Sequence, residues 1–201
     1  LLHDFLGINR KLDKEIHSNG AVDFIWNPPY IPGNRLGENG TPNNWEPEAH
    51  IEAFLNPLVD NQYVTKEVIG EDTSGKYNVY KFTFEPQNYN KTLLITSCIH
   101  GNETTGFFDM CHILNLLVNQ WEKYPQLTYL RKNVRLIYVP MVNPWGFANQ
   151  KRENVNNVDL NRNFDYNWKA GKGTDPDKSN FKGKSPFSEK ESQNMRSLVQ
   201  R

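Results

Sequence analysis

T-L-L-I-T-S-C-I-H-G-N-E-T-T-G, Thr92 to Gly106, runs from an apolar stretch into a bend that carries an imidazole and a carboxylate three residues apart. Thr92 to Cys98 is too apolar for a strand with one wet face, so it reads as an interior strand. Beyond the bend, Glu103 to Trp121 places Phe107, Met110, Ile113, Leu114, Leu117 and Val118 at helical spacing. A strand passing through a polar bend into a helix is the repeating unit of an α/β sheet. In such sheets sites collect beyond the carboxyl ends of the strands. His100 and Glu103 stand at one such end.

Working outward, Val134 to Val142 reads as a second buried strand, and Asn143 to Asn157 as the polar loop that leaves it. Upstream, Pro47 to Val59 reads as a helix with proline in its first turn. Tyr63 to Ile69 and Tyr77 to Phe84 read as strands around the turn Gly70 to Gly75, a hairpin. Downstream, Ser188 with Glu191 three residues later predicts a capping box opening a helix that reaches Arg201. The expectation is an α/β domain over residues 47–201, with a mixed, mostly parallel β-sheet flanked by helices and incomplete at its C-terminal end. Residues 1–46 read as an N-terminal arm. Within it, Leu1 to Ile16 suits a short helix. Trp26 to Trp45, rich in Pro, Gly and Asn, suits an extended segment whose Trp26, Tyr30 and Trp45 wrap the domain.

The bulk numbers exclude several classes. The 201 residues suit one domain plus an arm. Lys plus Arg and Asp plus Glu each total 23, so no basic surface for nucleic acid is expected. No apolar run approaches membrane-spanning length, and the first residues lack a signal-peptide pattern. A first residue of leucine is read as a processed or trimmed start, which leaves a removed signal open. The two cysteines, Cys98 and Cys111, read as buried thiols.

Imidazole and carboxylate both ligate zinc well, and a catalytic zinc keeps three protein ligands and one open position. His100 and Glu103, in one tight loop, can aim at one point. A polar turn with no metal is the alternative reading. Lys151 to Asp165 then packs Arg152, Asn161 and Arg162 into a short window. An arginine can clamp a carboxylate with two parallel hydrogen bonds, and an adjacent amide adds directional donors. An arginine beside a metal can stabilise a developing oxyanion.

Four motifs occur in register: H-G-N-E at His100 to Glu103, P-M-V-N-P-W-G-F at Pro140 to Phe147, R-E-N-V-N-N-V-D-L-N-R-N-F at Arg152 to Phe164, and S-P-F-S-E-K-E at Ser185 to Glu191. With the hairpin Ile69 to Val79, they resemble the zinc carboxypeptidases of the carboxypeptidase A type over about residues 48–201. The resemblance implies a zinc-exopeptidase-like fold and a Zn2+ cofactor held by His100 and Glu103. It implies that Arg152 polarises a scissile carbonyl, and that Asn161 and Arg162 hold the terminal carboxylate of a peptide. The implied reaction is hydrolysis of the C-terminal peptide bond of a peptide or cell-wall peptide.

The chain departs from the family pattern at two points. Trp145 stands where the family usually has Asp. The family's third zinc ligand, a histidine on a strand after the S-P-F-S-E-K-E helix, has no counterpart before Arg201, and neither do its substrate-capping tyrosine and general-base glutamate. His112 lies three turns along the helix and is expected to point elsewhere. His50, His3 and His17 read as surface or packing residues. The expected partners are therefore a peptide with a free C-terminal carboxylate and a missing C-terminal segment or larger assembly. The compartment stays open, with secretion, an envelope and a virion all compatible. Two further readings share these motifs: a zinc deacylase of the aspartoacylase type, and a non-catalytic, carboxylate-binding scaffold.

Overall fold

The computed structural model describes residues 45–200. The expected arm, with its helix at Leu1 to Ile16, lies outside the described residues except for its last two positions. Of these, Trp45 does cover a surface: its ring stacks on His50 with centroids 5.8 Å apart and meets Phe147 edge-on at 5.3 Å.

Helix α1, Pro47–Phe54, buries His50, Ile51 and Phe54. It stops earlier than the sequence pattern predicts. Pro57 cannot donate the next hydrogen bond, and its ring clashes with the preceding turn. The chain tightens into a 3₁₀ turn at Asn56–Asp60 instead. Strands β1, Val64–Glu71, and β2, Asn78–Phe84, form the expected antiparallel hairpin. Strand β3, Lys91–Thr96, leads to α2, Thr105–Asn119. Helix α3, Pro125–Asn133, precedes β4, Val134–Val139. Helix α4, Pro144–Asn149, and helix α5, Lys190–Val199, complete the described elements. None of these helices is long and apolar enough to cross a membrane.

The sheet has the order β1-β2-β4-β3. It is mixed and flanked by helices, as expected, but its parallel share is smaller than predicted. The β1–β2 and β2–β4 pairs are antiparallel, and only β3–β4 is parallel. Strands β2 and β4 each send side chains into two cores, β4 with Leu136 and Tyr138 into the larger and Val139 into the smaller. Phe82 and Phe84 face the larger core with Phe107 and Leu117 of α2 and Leu127 of α3, while Val79 faces a smaller core with Val139, Val142 and Met195. The interior position expected for β3 is not reached among the described strands. It pairs with β4 alone among the described strands, and Leu93 and Leu94 remain 38% and 37% exposed.

Two helices escaped the sequence pattern. Helix α3 has little apolar periodicity, and α4 lies inside the stretch read as a loop. The start of α4 follows from local chemistry: Asn143 Oδ1 accepts a hydrogen bond from Gly146 N at 2.8 Å, and Pro144 occupies the first turn. The expected capping box at Ser188 does not form. Helix α5 begins at Lys190, with no side-chain cap from its N-cap residue Glu189. Ser188 Oγ donates to Glu189 Oε1 at 2.7 Å, and the Glu191 carboxylate is drawn to the distant Thr73, accepting from its N at 3.2 Å and from its hydroxyl. Both cysteines are buried free thiols, and burial pushes the Cys98 thiol up to about 12.

Candidate metal and carboxylate site

The parallel neighbours β3 and β4 release their following loops side by side. Their pairing continues past the strands, because Val142 N donates to Ser97 O at 3.1 Å and Asn143 N to Cys98 O at 3.0 Å. The bend His100 to Glu103 closes with Glu103 N donating to His100 O at 3.1 Å, and Asn102 N donates to Lys151 O at 3.1 Å. Gly101 makes this approach possible. A Cβ there would lie 1.9 Å from the carbonyl carbon of Gly146. H-G-N-E and N-P-W-G-F therefore interlock backbone to backbone, and the second motif carries the chain toward Arg152.

The result is a four-residue cluster. His100 Nδ1 lies 2.9 Å from Glu103 Oε1, and His100 Nε2 lies 3.0 Å from Asp159 Oδ1. Arg152 bridges the two carboxylates, donating to Glu103 Oε1 at 3.3 Å and to Asp159 Oδ2 at 3.1 Å. Exposure is graded across the cluster: the side chains of Asp159 and His100 are 1% and 6% exposed, those of Arg152 and Glu103 36% and 60%. Its inner wall is dry and its outer wall meets solvent.

Asp159 organises this cluster. Its Oδ1 also accepts from Asn161 N at 3.0 Å, so three donors satisfy a buried carboxylate. The ring of His100 can donate to Asp159 through Nε2, which fixes the tautomer and leaves the Nδ1 lone pair on the side of Glu103. Two tetrahedral zinc ligands at about 2.0–2.2 Å from the metal sit roughly 3.3 Å apart. The Nδ1–Oε1 separation fits such an ion after a shift of a few tenths of an ångström. Among the described residues no group of three or more His, Cys, Asp and Glu side chains could hold a metal. The set here is two candidate ligands, His100 and Glu103.

The residues expected from sequence to clamp a carboxylate lie on the next turn. Asp159 caps the 3₁₀ turn Leu160–Arg162. Asn161 and Arg162 are exposed, and Arg162 Nη1 donates to Asn161 O at 3.2 Å. The structure therefore brings His100, Glu103 and Arg152 into direct contact and joins Asn161 to them through Asp159. Arg162 follows on the same turn with its guanidinium open to solvent. His112 is buried in α2, within the helix where the sequence placed it.

Sequence reasoning missed Asp159 and assigned no role to Asn154 or Asn163. Asn154 Oδ1 accepts from Asn156 N and Val158 N, both at 3.1 Å, and its amide donates to Glu189 Oε2 at 2.8 Å. Asn163, wholly buried, donates to Lys182 O, Ser185 O and Ser188 Oγ and accepts from Glu189 N and Ser192 Oγ. Glu191 is wholly buried, and that burial raises its carboxyl above the usual range while the Thr73 and Asn154 donors pull it back. These groups hold the loop. The only advance signal for Asp159 was a lone acid between Val158 and Leu160, both buried. Trp145 is half-buried at the second turn position of α4, and nothing in the structure explains its presence there.

A family model described as zinc carboxypeptidase matches residues 51–201. Mouse carboxypeptidase M is 43% identical over 75 residues, covering 33% of this chain and 17% of the relative. Arabidopsis thaliana carboxypeptidase SOL1 is 39% identical over 66 residues, covering 33% and 13%. Among solved structures, carboxypeptidase A from Helicoverpa armigera aligns with a TM-score of 0.62 at 23% identity, over 76% of this chain and 40% of its own. Thrombin activatable fibrinolysis inhibitor aligns with a TM-score of 0.66 at 22% identity, over 76% and 44%. These likenesses carry the fold. The chain spans less than half the length of each of these four proteins.

Proposed function

This chain belongs to the zinc carboxypeptidase family, and from that premise we propose that it forms part of a metallocarboxypeptidase that hydrolyses the C-terminal peptide bond of a peptide. The observation that carries the reading is the pairing of His100 Nδ1 with Glu103 Oε1 at 2.9 Å, against a histidine fixed from behind by Asp159. In this reading His100 and Glu103 hold Zn2+, and a third ligand comes from outside the described residues. Zinc supplies Lewis-acid polarisation of the scissile carbonyl and activation of water.

The chain's own residues supply the rest. Asp159 keeps the His100 ring in the ligating tautomer and balances its charge. Arg152 stands beside Glu103 with a partly exposed guanidinium, placed to donate to a carbonyl oxygen as negative charge develops on it. Arg162, with Asn161, offers a planar donor set to the free terminal carboxylate. That division would make the enzyme an exopeptidase, because an internal residue or an amidated terminus presents no charge to Arg162.

The test has two parts. Zinc per chain is measured after dialysis against a weak chelator, in the parent and in His100→Ala. Loss of zinc in the variant is expected, and equal retention would sink the ligand assignment. Binding of an N-acyl dipeptide is then compared with that of its C-terminal amide. The free acid is expected to bind better, with the preference lost in Arg162→Ala. Equal affinity for acid and amide in the parent would overturn the carboxylate clamp.

A further inference from the structure

A cavity of about 820 Å3 opens in the segment that follows the loop, walled by Val158, Trp168, Pro176, Phe181, Lys182 and Lys184. It shares no lining residue with the His100 cluster, and none of the roles above uses it. Its volume is that of a small-molecule site, and its walls are largely apolar with a few polar groups.

Lys182 is its unusual feature. The residue is only 5% exposed. Its Nζ donates to Trp168 O at 2.9 Å and Gly171 O at 2.6 Å, and it stands 4.3 Å from the centre of the Trp168 ring. The Trp168 indole donates back to Lys182 O at 3.1 Å. Two of the three ammonium donors are thus taken, by neutral groups. No carboxylate lies within ion-pair distance of Lys182 among the described residues. A buried ammonium is normally paired with an anion, since desolvating its charge is costly. Glu189 also lines the cavity, but its carboxylate already accepts from Ser188, Asn154 and Asn156. Lys184, exposed at the same cavity, adds a second positive group.

We infer that this cavity is a binding site for a small organic carboxylate with an aromatic or apolar body. The carboxylate completes the Lys182 ammonium, and the body lies against Trp168, Phe181 and Pro176. The site is independent of the peptide-carboxylate clamp, and it stands or falls separately from the proposed peptidase activity.

Phenylacetate and its uncharged counterpart phenylacetamide are the probes, titrated into the 201-residue chain carrying Arg162→Ala to silence the clamp. The readout is the Trp168 indole N–H resonance, assigned with Trp168→Phe. Phenylacetate is expected to move it to saturation, while phenylacetamide binds at least about tenfold more weakly, the worth of one charge-assisted hydrogen bond. Lys182→Met should abolish the response, and Lys184→Ala should weaken it by a smaller factor. Equal response to acid and amide would overturn the inference. So would a Trp168 resonance unmoved by phenylacetate at roughly 10 mM, where weak binding already registers. If Lys182→Met does not fold, the acid–amide comparison and Lys184→Ala still decide.

Discussion

Asn161 and Asn163 lie two residues apart in the same motif and have opposite fates. Asn163 is wholly buried, and its amide makes five hydrogen bonds to the 182–192 segment. Asn161 is exposed on the capped turn beside Arg162, its side chain open to a ligand. The same division runs through the stretch from Arg152 to Phe164 and the side chains that meet it. One set of polar groups, Asn154, Asn163, Glu189 and Glu191, is saturated by protein partners. The other, Glu103, Arg152, Asn161 and Arg162, meets solvent. Saturation, rather than residue type, separates the part that holds the site from the part that can act.

Breaking the saturated side should cost the most. Asn163→Ala takes a partner from three acceptors and two donors at once, and a loss of about 3–5 kcal/mol in urea unfolding is expected. A loss below about 1 kcal/mol would erase the distinction. Gly101→Ala forces a Cβ into the Gly146 backbone. It should cost about 3 kcal/mol or more, because neither backbone can give way without moving a strand end.

A subtler effect is expected at Glu191. Burial raises its folded-state pKa above that of the unfolded chain, so the folded state holds the proton more tightly. The stabilisation from that proton is complete below the unfolded value and is lost as pH rises through the folded one. The stability of the parent relative to Glu191→Gln should therefore increase as pH falls from neutral toward the ordinary carboxylate range. A difference that stays flat across that window in paired thermal melts would show that Glu191 does not titrate there. The smallest structural effect belongs to the open side. Arg162→Ala should change unfolding stability by no more than about 0.5 kcal/mol, while removing the preference for a free C-terminal carboxylate. A large loss of stability would move Arg162 to the saturated set.

The main elements were legible because their signals are local. The hairpin, the helix α2 and the strand β4 follow from side-chain periodicity. The His-x-x-Glu pair follows from spacing within one bend. Helix α3 was not legible, because its apolar stripe is thin and its packing rests on Leu127. Helix α4 could have been read from the Asn143–Pro144 start, but its six residues are too few to show helical periodicity. The capping box at Ser188 failed for the converse reason. Its sequence was right, but Thr73, 118 residues from Glu191, offered the carboxylate two donors.

Sequence by itself determined the alternating α/β character, the candidate pair His100 and Glu103, the arginines Arg152 and Arg162, and the resemblance to zinc carboxypeptidases that the family match then established. Tertiary structure alone decided the order of the described strands, the parallel pairing of β3 with β4, and the role of Asp159. Periodicity and motif spacing record what a residue does with near neighbours in the chain. Asp159 meets His100 across 59 residues, and only the side-by-side release of the loops after β3 and β4 brings that carboxylate behind the imidazole.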